Sequence, residues 1–180
     1  DAEVRAFEAS APYDARIAAP STYEALRLGM QRDPQAAALH FLAKAEPEQA
    51  PLTLSHADFF AKVTQSANLF ASFGVGAHDV VSFLLPLLPQ SYFGLFGAQA
   101  AGIANPVNPL LSAAQLGEIL RAAGTQVLVT VGPLPGSDIW DKVQQIKGSL
   151  PQLKAVLVIG GQADAAHRIT QCMGRLWAFA

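Results

Sequence analysis

Val80-Val81-Ser82-Phe83-Leu84-Leu85, then Ser91 to Ala101, then Gly102, then Ile103-Ala104-Asn105-Pro106-Val107 is the stretch whose reading decides the fold. The first run is short, apolar and β-branched at its start, which marks a strand covered on both faces. Ser91 to Ala101 mixes aromatic and small residues and reads as a helix ended by Gly102. Ile103 to Val107 reads as a second strand, weakened by Pro106. Downstream the unit recurs: Ser112 with Gln115 opens a helix through a capping box, Gly124 ends it, and Val127 to Val131 is a strand. After a Pro/Gly loop at Gly132 to Gly136, Asp138 to Leu150 is a helix with Ile139, Trp140, Val143 and Ile146 turned inward. Ala155 to Ile159 is a strand, followed by Gly160-Gly161, and Ala163 begins a last helix. Strands alternating with helices over short connections predict an α/β fold, a mostly parallel sheet with helices on both faces.

Upstream the pattern is looser. Residues 1–20, rich in Ala and Pro, read as a lead-in arm, and residues 21–180 as the α/β lobe. Ser21 with Glu24 caps a helix bearing Tyr23, Leu26 and Met30 and stopping before Asp33-Pro34. Ala36 to Leu42 and Leu52 to Leu54 are strands around a loop at Ala43 to Pro51. Ser55 starts the clearest helix, with Asp58 in its first turn and an apolar stripe of Phe59, Phe60, Val63, Ala67, Phe70 and Phe73. Gly74 is its expected left-handed terminator.

The chain has 180 residues, a formal net charge of −2, 51% hydrophobic residues and 14% charged ones. That charge content is low against about 25% in an average soluble protein. It excludes a disordered chain and leaves no electrostatic footprint for nucleic acid. It also implies an exposed apolar face that meets the rest of a larger protein or a second copy. The longest apolar region, Val80 to Ala104, is broken by Pro86, Pro89, Gln90, Ser91 and Gln99, so no membrane-spanning helix is expected. The charged residues within 1–11 do not fit a signal peptide. One cysteine, Cys172, excludes an internal disulfide and a cysteine zinc cluster, and fits a reducing, cytoplasmic setting.

Few residues suggest chemistry by spacing. The phosphate-loop pattern G-x-x-x-x-G-K-[ST] is absent, and Gly74-Val75-Gly76 follows a helix where a dinucleotide motif follows a strand. Gly160-Gly161 does follow a strand, so its N–H groups could hold an anion, although a plain strand-to-helix turn accounts for two glycines as well. His40, His56, His78 and His167 show no metal-ligand spacing. His40 reads as a hydrogen-bonded core or edge histidine and His78 as solvated. Cys172 has no neighbouring histidine or cysteine to activate it.

Longer strings carry a resemblance. Leu84-Leu85-Pro86-Leu87-Leu88-Pro89-Gln90, Gly94 to Gly97, Ala101-Gly102-Ile103-Ala104-Asn105-Pro106-Val107-Asn108-Pro109-Leu110, Gln115-Leu116 to Leu120 and Val127-Leu128-Val129-Thr130 occur in an ordered series. The series resembles the N-terminal part of AMP-forming acyl-CoA synthetases, nearest to their fatty-acyl branch, and runs from about Tyr23 to Gly161. The resemblance implies the N-terminal lobe of an adenylate-forming enzyme, with Asn105 to Pro109 in a scaffold role. It implies ATP, Mg²⁺ and CoA as the parent enzyme's cofactors, a carboxylic acid as substrate, and none of these cofactors bound by this span. The family's Ser/Thr/Gly-rich phosphate loop and later motifs would lie beyond Ala180, so no catalytic residue transfers and this span alone is expected to be inactive. Asn108 and Leu110 are the residues that would contact CoA, while the arginines that hold the CoA phosphate have no counterpart around Gly136 to Ile139. The rival readings are a stand-alone nucleotide-binding module using Gly160 and Gly161, and a homologue that acts as an interaction domain.

Overall fold

The computed structural model describes residues 2–16, 19–43, 46, 49–160 and 170–172. In chain order these form α1 (Ala2–Ser10), α2 (Tyr13–Arg16), α3 (Thr22–Arg32), β1 (Ala37–Phe41), β2 (Leu52–Ser55), α4 (His56–Ser72), β3 (Val80–Leu84), α5 (Pro89–Ala101), β4 (Ile103–Pro106), α6 (Ala113–Ala122), β5 (Thr125–Val131), α7 (Ile139–Ile146), β6 (Ala155–Ile159) and β7 (Thr170–Cys172).

Local chemistry places most of these ends. The Ser21, Ser55 and Ser112 hydroxyls each accept the backbone N–H three residues on. At Ser112 the box is complete, since the Gln115 side chain accepts the Ser112 N–H in return. Asp58, in the first turn of α4, receives the Ser55 hydroxyl at 2.6 Å. α5 begins two residues earlier than the sequence suggests because Pro89 occupies its first turn, where a missing N–H costs nothing. Gly74, at φ +75°, ends the α4 segment in the left-handed region.

The arm is helical over α1 and α2. Ala, Glu and Arg in α1 are good helix formers, yet the helix buries none of its residues. Arg16 folds back over the Phe7 ring, 4.5 Å from its centroid, and donates to the carbonyls of Phe7, Glu8 and Ala11 at the end of α1.

β3 to β7 form one parallel sheet in the order β4-β3-β5-β6-β7. β1 and β2 pair antiparallel in a separate two-stranded ribbon, in which the His40 ring bonds Thr53 Oγ1 at 2.9 Å across the strands. Residues 163–169, where a helix was expected, lie outside the described residues. Residues 170–172 are strand, because pairing with β6 satisfies a backbone that would otherwise leave that sheet edge bare.

Alternation along the strands builds two cores. Val81, Phe83, Val127, Val129, Ala155 and Leu157 pack against Phe59, Val63 and Phe70 of α4 and Phe93 and Ala98 of α5. Phe70 and Phe83 meet edge to face with centroids 6.1 Å apart. On the other side Leu84, Leu128, Val156 and Val158 pack against Leu116 and Leu120 of α6 and Val143 and Ile146 of α7. The swap of faces follows from handedness. The chain steps from β3 to β4 through α5, then reverses over β3 to β5 through α6. Both crossovers are right-handed only if the two helices lie on opposite faces.

One polar chain crosses the sheet interior. Asn105 Nδ2 donates to Ser82 Oγ at 2.9 Å, and Ser82 Oγ shares a 2.7 Å bond with Thr125 Oγ1, tying β4, β3 and β5 together. Ser82 and Thr125 are buried. Ser82→Ala strands both partners and should cost about 1–3 kcal/mol in urea unfolding. Ser82→Ala combined with Thr125→Val should recover part of that loss. A single variant within about 0.5 kcal/mol of wild type, the range of a neutral surface change, would show the chain to be idle.

Candidate functional site: the crevice at the sheet reversal

The loops that leave the neighbouring strands β3 and β5 go to opposite faces, toward α5 and α7. Such a reversal opens a crevice at the carboxyl ends of the strands, where ligands of open α/β sheets bind. A cavity of about 220 Å³ lies there. Pro86 and Leu88 line it from the segment after β3, Val131 to Leu134 from the end of β5, and Ile159 and Gly160 from the end of β6. A second hollow of about 140 Å³ adjoins it between β3 and β4, bounded by Phe83, Leu85, Pro86, Leu95, Pro106 and Val107. Among the described residues no charged side chain lines either one. The backbone there is partly spent, since Gly132 N–H donates to Ile159 O at 3.2 Å.

Gly160 stands in the crevice wall at φ +70°, a conformation that favours glycine, and open space surrounds the position of a Cβ. Its neighbour Gly161 lies outside the described residues. Asn108 and Leu110 fall on the loop after β4. The Asn108 side-chain oxygen accepts Leu110 N–H at 3.0 Å, so the amide shapes its own turn. Leu110 stands 86% exposed. Leu87, Leu110 and Leu134, on the loops after β3, β4 and β5, are all exposed.

The sequence reading missed Lys142. From the second turn of α7 its ammonium donates to Pro109 O at 3.0 Å and pairs with Asp138 at 3.0 Å. The spacing to Asp138 is visible in sequence, but Pro109 is 33 residues away. Elsewhere, on α3, the Arg27 guanidinium holds the Glu24 carboxyl below the usual carboxylate range by a hydrogen bond and by its charge. Among the described residues no group of three or more His, Cys, Asp or Glu could hold a metal ion. Among them, too, no helix is long and apolar enough to cross a membrane.

A five-stranded parallel sheet with helices on both faces and a crevice at its reversal defines an α/β lobe of the doubly wound class. Residues 26–173 match the family model described as AMP-binding enzyme. The chain belongs to the AMP-binding enzyme family, and its architecture is that of the N-terminal lobe of adenylate-forming enzymes. Over 155 residues it is 28% identical to a marinolic acid–CoA ligase from Pseudoalteromonas sp. (strain SANK 73390), covering 86% of this chain and 24% of that protein. Over 114 residues it is 31% identical to the long-chain-fatty-acid–CoA ligase heimdall of Drosophila melanogaster, covering 63% of this chain and 16% of that protein. The acetoacetyl-CoA synthetase of Streptomyces lividans superposes with a TM-score of 0.74 at 24% identity, over 88% of this chain and 25% of that one. The chain thus spans a quarter or less of the length of these relatives.

Proposed function

We propose that this chain is the N-terminal lobe of an AMP-forming acyl-CoA ligase. The parent activates a carboxylic acid, of the fatty class, with ATP and Mg²⁺ to an acyl-adenylate, then passes the acyl group to CoA in the cytoplasm. The observation that carries this reading is the family match, which runs through the crevice and through the loop bearing Asn108 and Leu110. The named activities of the two curated relatives, both CoA ligases, support it.

The lobe's own chemistry sets its share of the work. Hydrophobic walls at the crevice exclude water, and exclusion of water protects an activated acyl group from hydrolysis. The described residues do not fit a triphosphate or Mg²⁺, because the crevice is lined by Pro, Leu, Val, Ile and Gly and no acidic cluster is present among them. In this reading, stabilising phosphoryl charge is left to residues other than those described in this crevice. Asn108 and Leu110 present the CoA-facing loop, and Leu87, Leu110 and Leu134 meet the rest of the enzyme.

Residues 1–180 alone, given ATP, Mg²⁺, CoA and a fatty acid, should form no acyl-CoA and no AMP. The full-length protein should form both in equal amounts, and only when the acid is present. Turnover by residues 1–180 would overturn the division of labour. Failure of the full-length protein to release AMP with any of a graded series of fatty acids would overturn the ligase reading.

A further inference from the structure

We propose that residues 132–137 are a lid, and that it closes by seating Leu134 in the crevice between Pro86 and Leu88. The crevice supplies the reason. Its volume is about 220 Å³, and Pro86, Leu88, Val131, Pro133 and Ile159 are its apolar walls. Water held there finds few hydrogen-bond partners, so apolar surface brought into it is favoured over solvent. Leu134 already stands on the rim: it lines the crevice, yet it is 50% exposed. Much of its apolar surface is still to be buried, and the place to bury it lies beside it.

The segment is built to carry that side chain as one piece. Ser137 N–H donates to Leu134 O at 3.1 Å, across Pro135 and across Gly136 at φ +78°. Proline followed by a left-handed glycine is the pattern of a type II turn, which fixes the tip. Pro133, on the other side of Leu134, has its φ fixed by its ring. The two ends are loose by comparison. Among the described residues, the segment's one backbone bond to a neighbouring strand is Gly132 N–H to Ile159 O, at 3.2 Å. Gly132 has no side chain to limit rotation there. At the far end Asp138 gives α7 no side-chain cap, since its carboxylate pairs with Lys142, and Ile139 N–H reaches only Ser137 Oγ at 3.4 Å. A stiff tip between two loose ends moves as a unit, and the turns of backbone angle fall at those ends. Open, Leu134 faces the surroundings of the lobe. Closed, it fills the crevice and excludes water from the carboxyl ends of β5 and β6.

The test is thiol labelling of the full-length protein carrying Leu134→Cys, read by mass spectrometry at the peptide that contains this position. Cysteine behaves as a small hydrophobe, so it keeps part of the drive to be buried. Leu88→Trp, added to that variant, fills the crevice from the opposite wall and leaves the lid no seat. The thiol should react with a neutral maleimide about threefold more slowly without the wedge than with it, as expected for burying the rest of a small apolar side chain. Leu88→Phe, a smaller wedge, carries the test if Leu88→Trp does not fold. Equal rates with and without the wedge would overturn the lid. Fast in both, the segment stays open; slow in both, the thiol is covered by something other than the crevice, such as the rest of the enzyme. Labelling needs no substrate, so its outcome is independent of the ligase reading.

Discussion

Gly97→Ala is expected to destabilise the lobe by about 2–3 kcal/mol, and Gly97→Leu to prevent folding. A Cβ built on Gly97 falls 2.5 Å from the Ser66 Cβ, 2.9 Å from the Ala67 nitrogen and 2.9 Å from the Val63 oxygen. Two of these are backbone atoms of α4, so no rotamer change relieves the contact. The helices must move apart, and their packing does not allow it. Val63, Phe70, Phe93 and Ala98 around the crossing have no exposed surface, and Phe59 meets Phe96 edge to face with centroids 6.0 Å apart. A close-packed interior that is wedged open loses dispersion contacts along the whole seam. For a chain of this size each kcal/mol lowers Tm by about 2–4 °C, so the alanine variant should melt about 5–10 °C lower. Ser66→Gly removes one of the three obstructions and should restore part of the loss in the double variant. A Gly97→Ala protein that melts with the wild type would show the two helices to be looser than this geometry states.

Much of that architecture is legible in the sequence, for identifiable reasons. Val127 to Val131 and Ala155 to Ile159 are covered on both faces, so their continuous apolar character marks them as central strands of a parallel sheet. Ser21, Ser55 and Ser112 cap helices through contacts three residues away, and such local chemistry shows itself in sequence. Strand partners are another matter. Nothing in Ala37 to Phe41 or Leu52 to Ser55 says that they pair with each other and not with the main sheet, because a period-two pattern specifies faces and not neighbours. The strand order β4-β3-β5 is likewise non-local, and with it the position of the crevice. Gly160 could be picked out as a glycine after a strand, but the other walls of the cavity come from the connections after β3 and β5. Asn105 to Pro109 reads as scaffold from its prolines. Its tie through the Asn105 amide to Ser82 joins residues 23 apart. Lys142 was invisible for the same reason.

Gly102→Ala should cost about 3 kcal/mol, through overpacking and one lost backbone hydrogen bond, and should do so first by loosening β4. The backbone angle is not the cause, since φ −170° is extended and open to any residue. Space is the cause. A Cβ at this position would lie 2.6 Å from Asp79 O, 2.6 Å from Gly76 O and 3.0 Å from Val75 Cγ1. Both oxygens are already committed: Gly76 O accepts Asp79 N–H and Asp79 O accepts Ile103 N–H, each at 2.9 Å. Asp79 is further tethered by its carboxylate, which accepts Gly76 N–H at 2.8 Å and the Gln126 side-chain amide. The strand is therefore the part that gives. It is only four residues long, pairs with β3 alone at the sheet edge, and begins at Ile103, whose bond to Asp79 O the added methyl opposes. Amide exchange separates this from uniform weakening. In Gly102→Ala, the amides of Ile103, Asn105 and Val107 should lose protection while those of β5 and β6 keep it. Because Val107 and Pro106 wall the smaller hollow beside the crevice, loosening β4 would open the site on that side before the lobe unfolds. Equal loss of protection in β4 and β6 would mean that the edge strand and the central sheet open as one unit, and that the site survives for as long as the fold does.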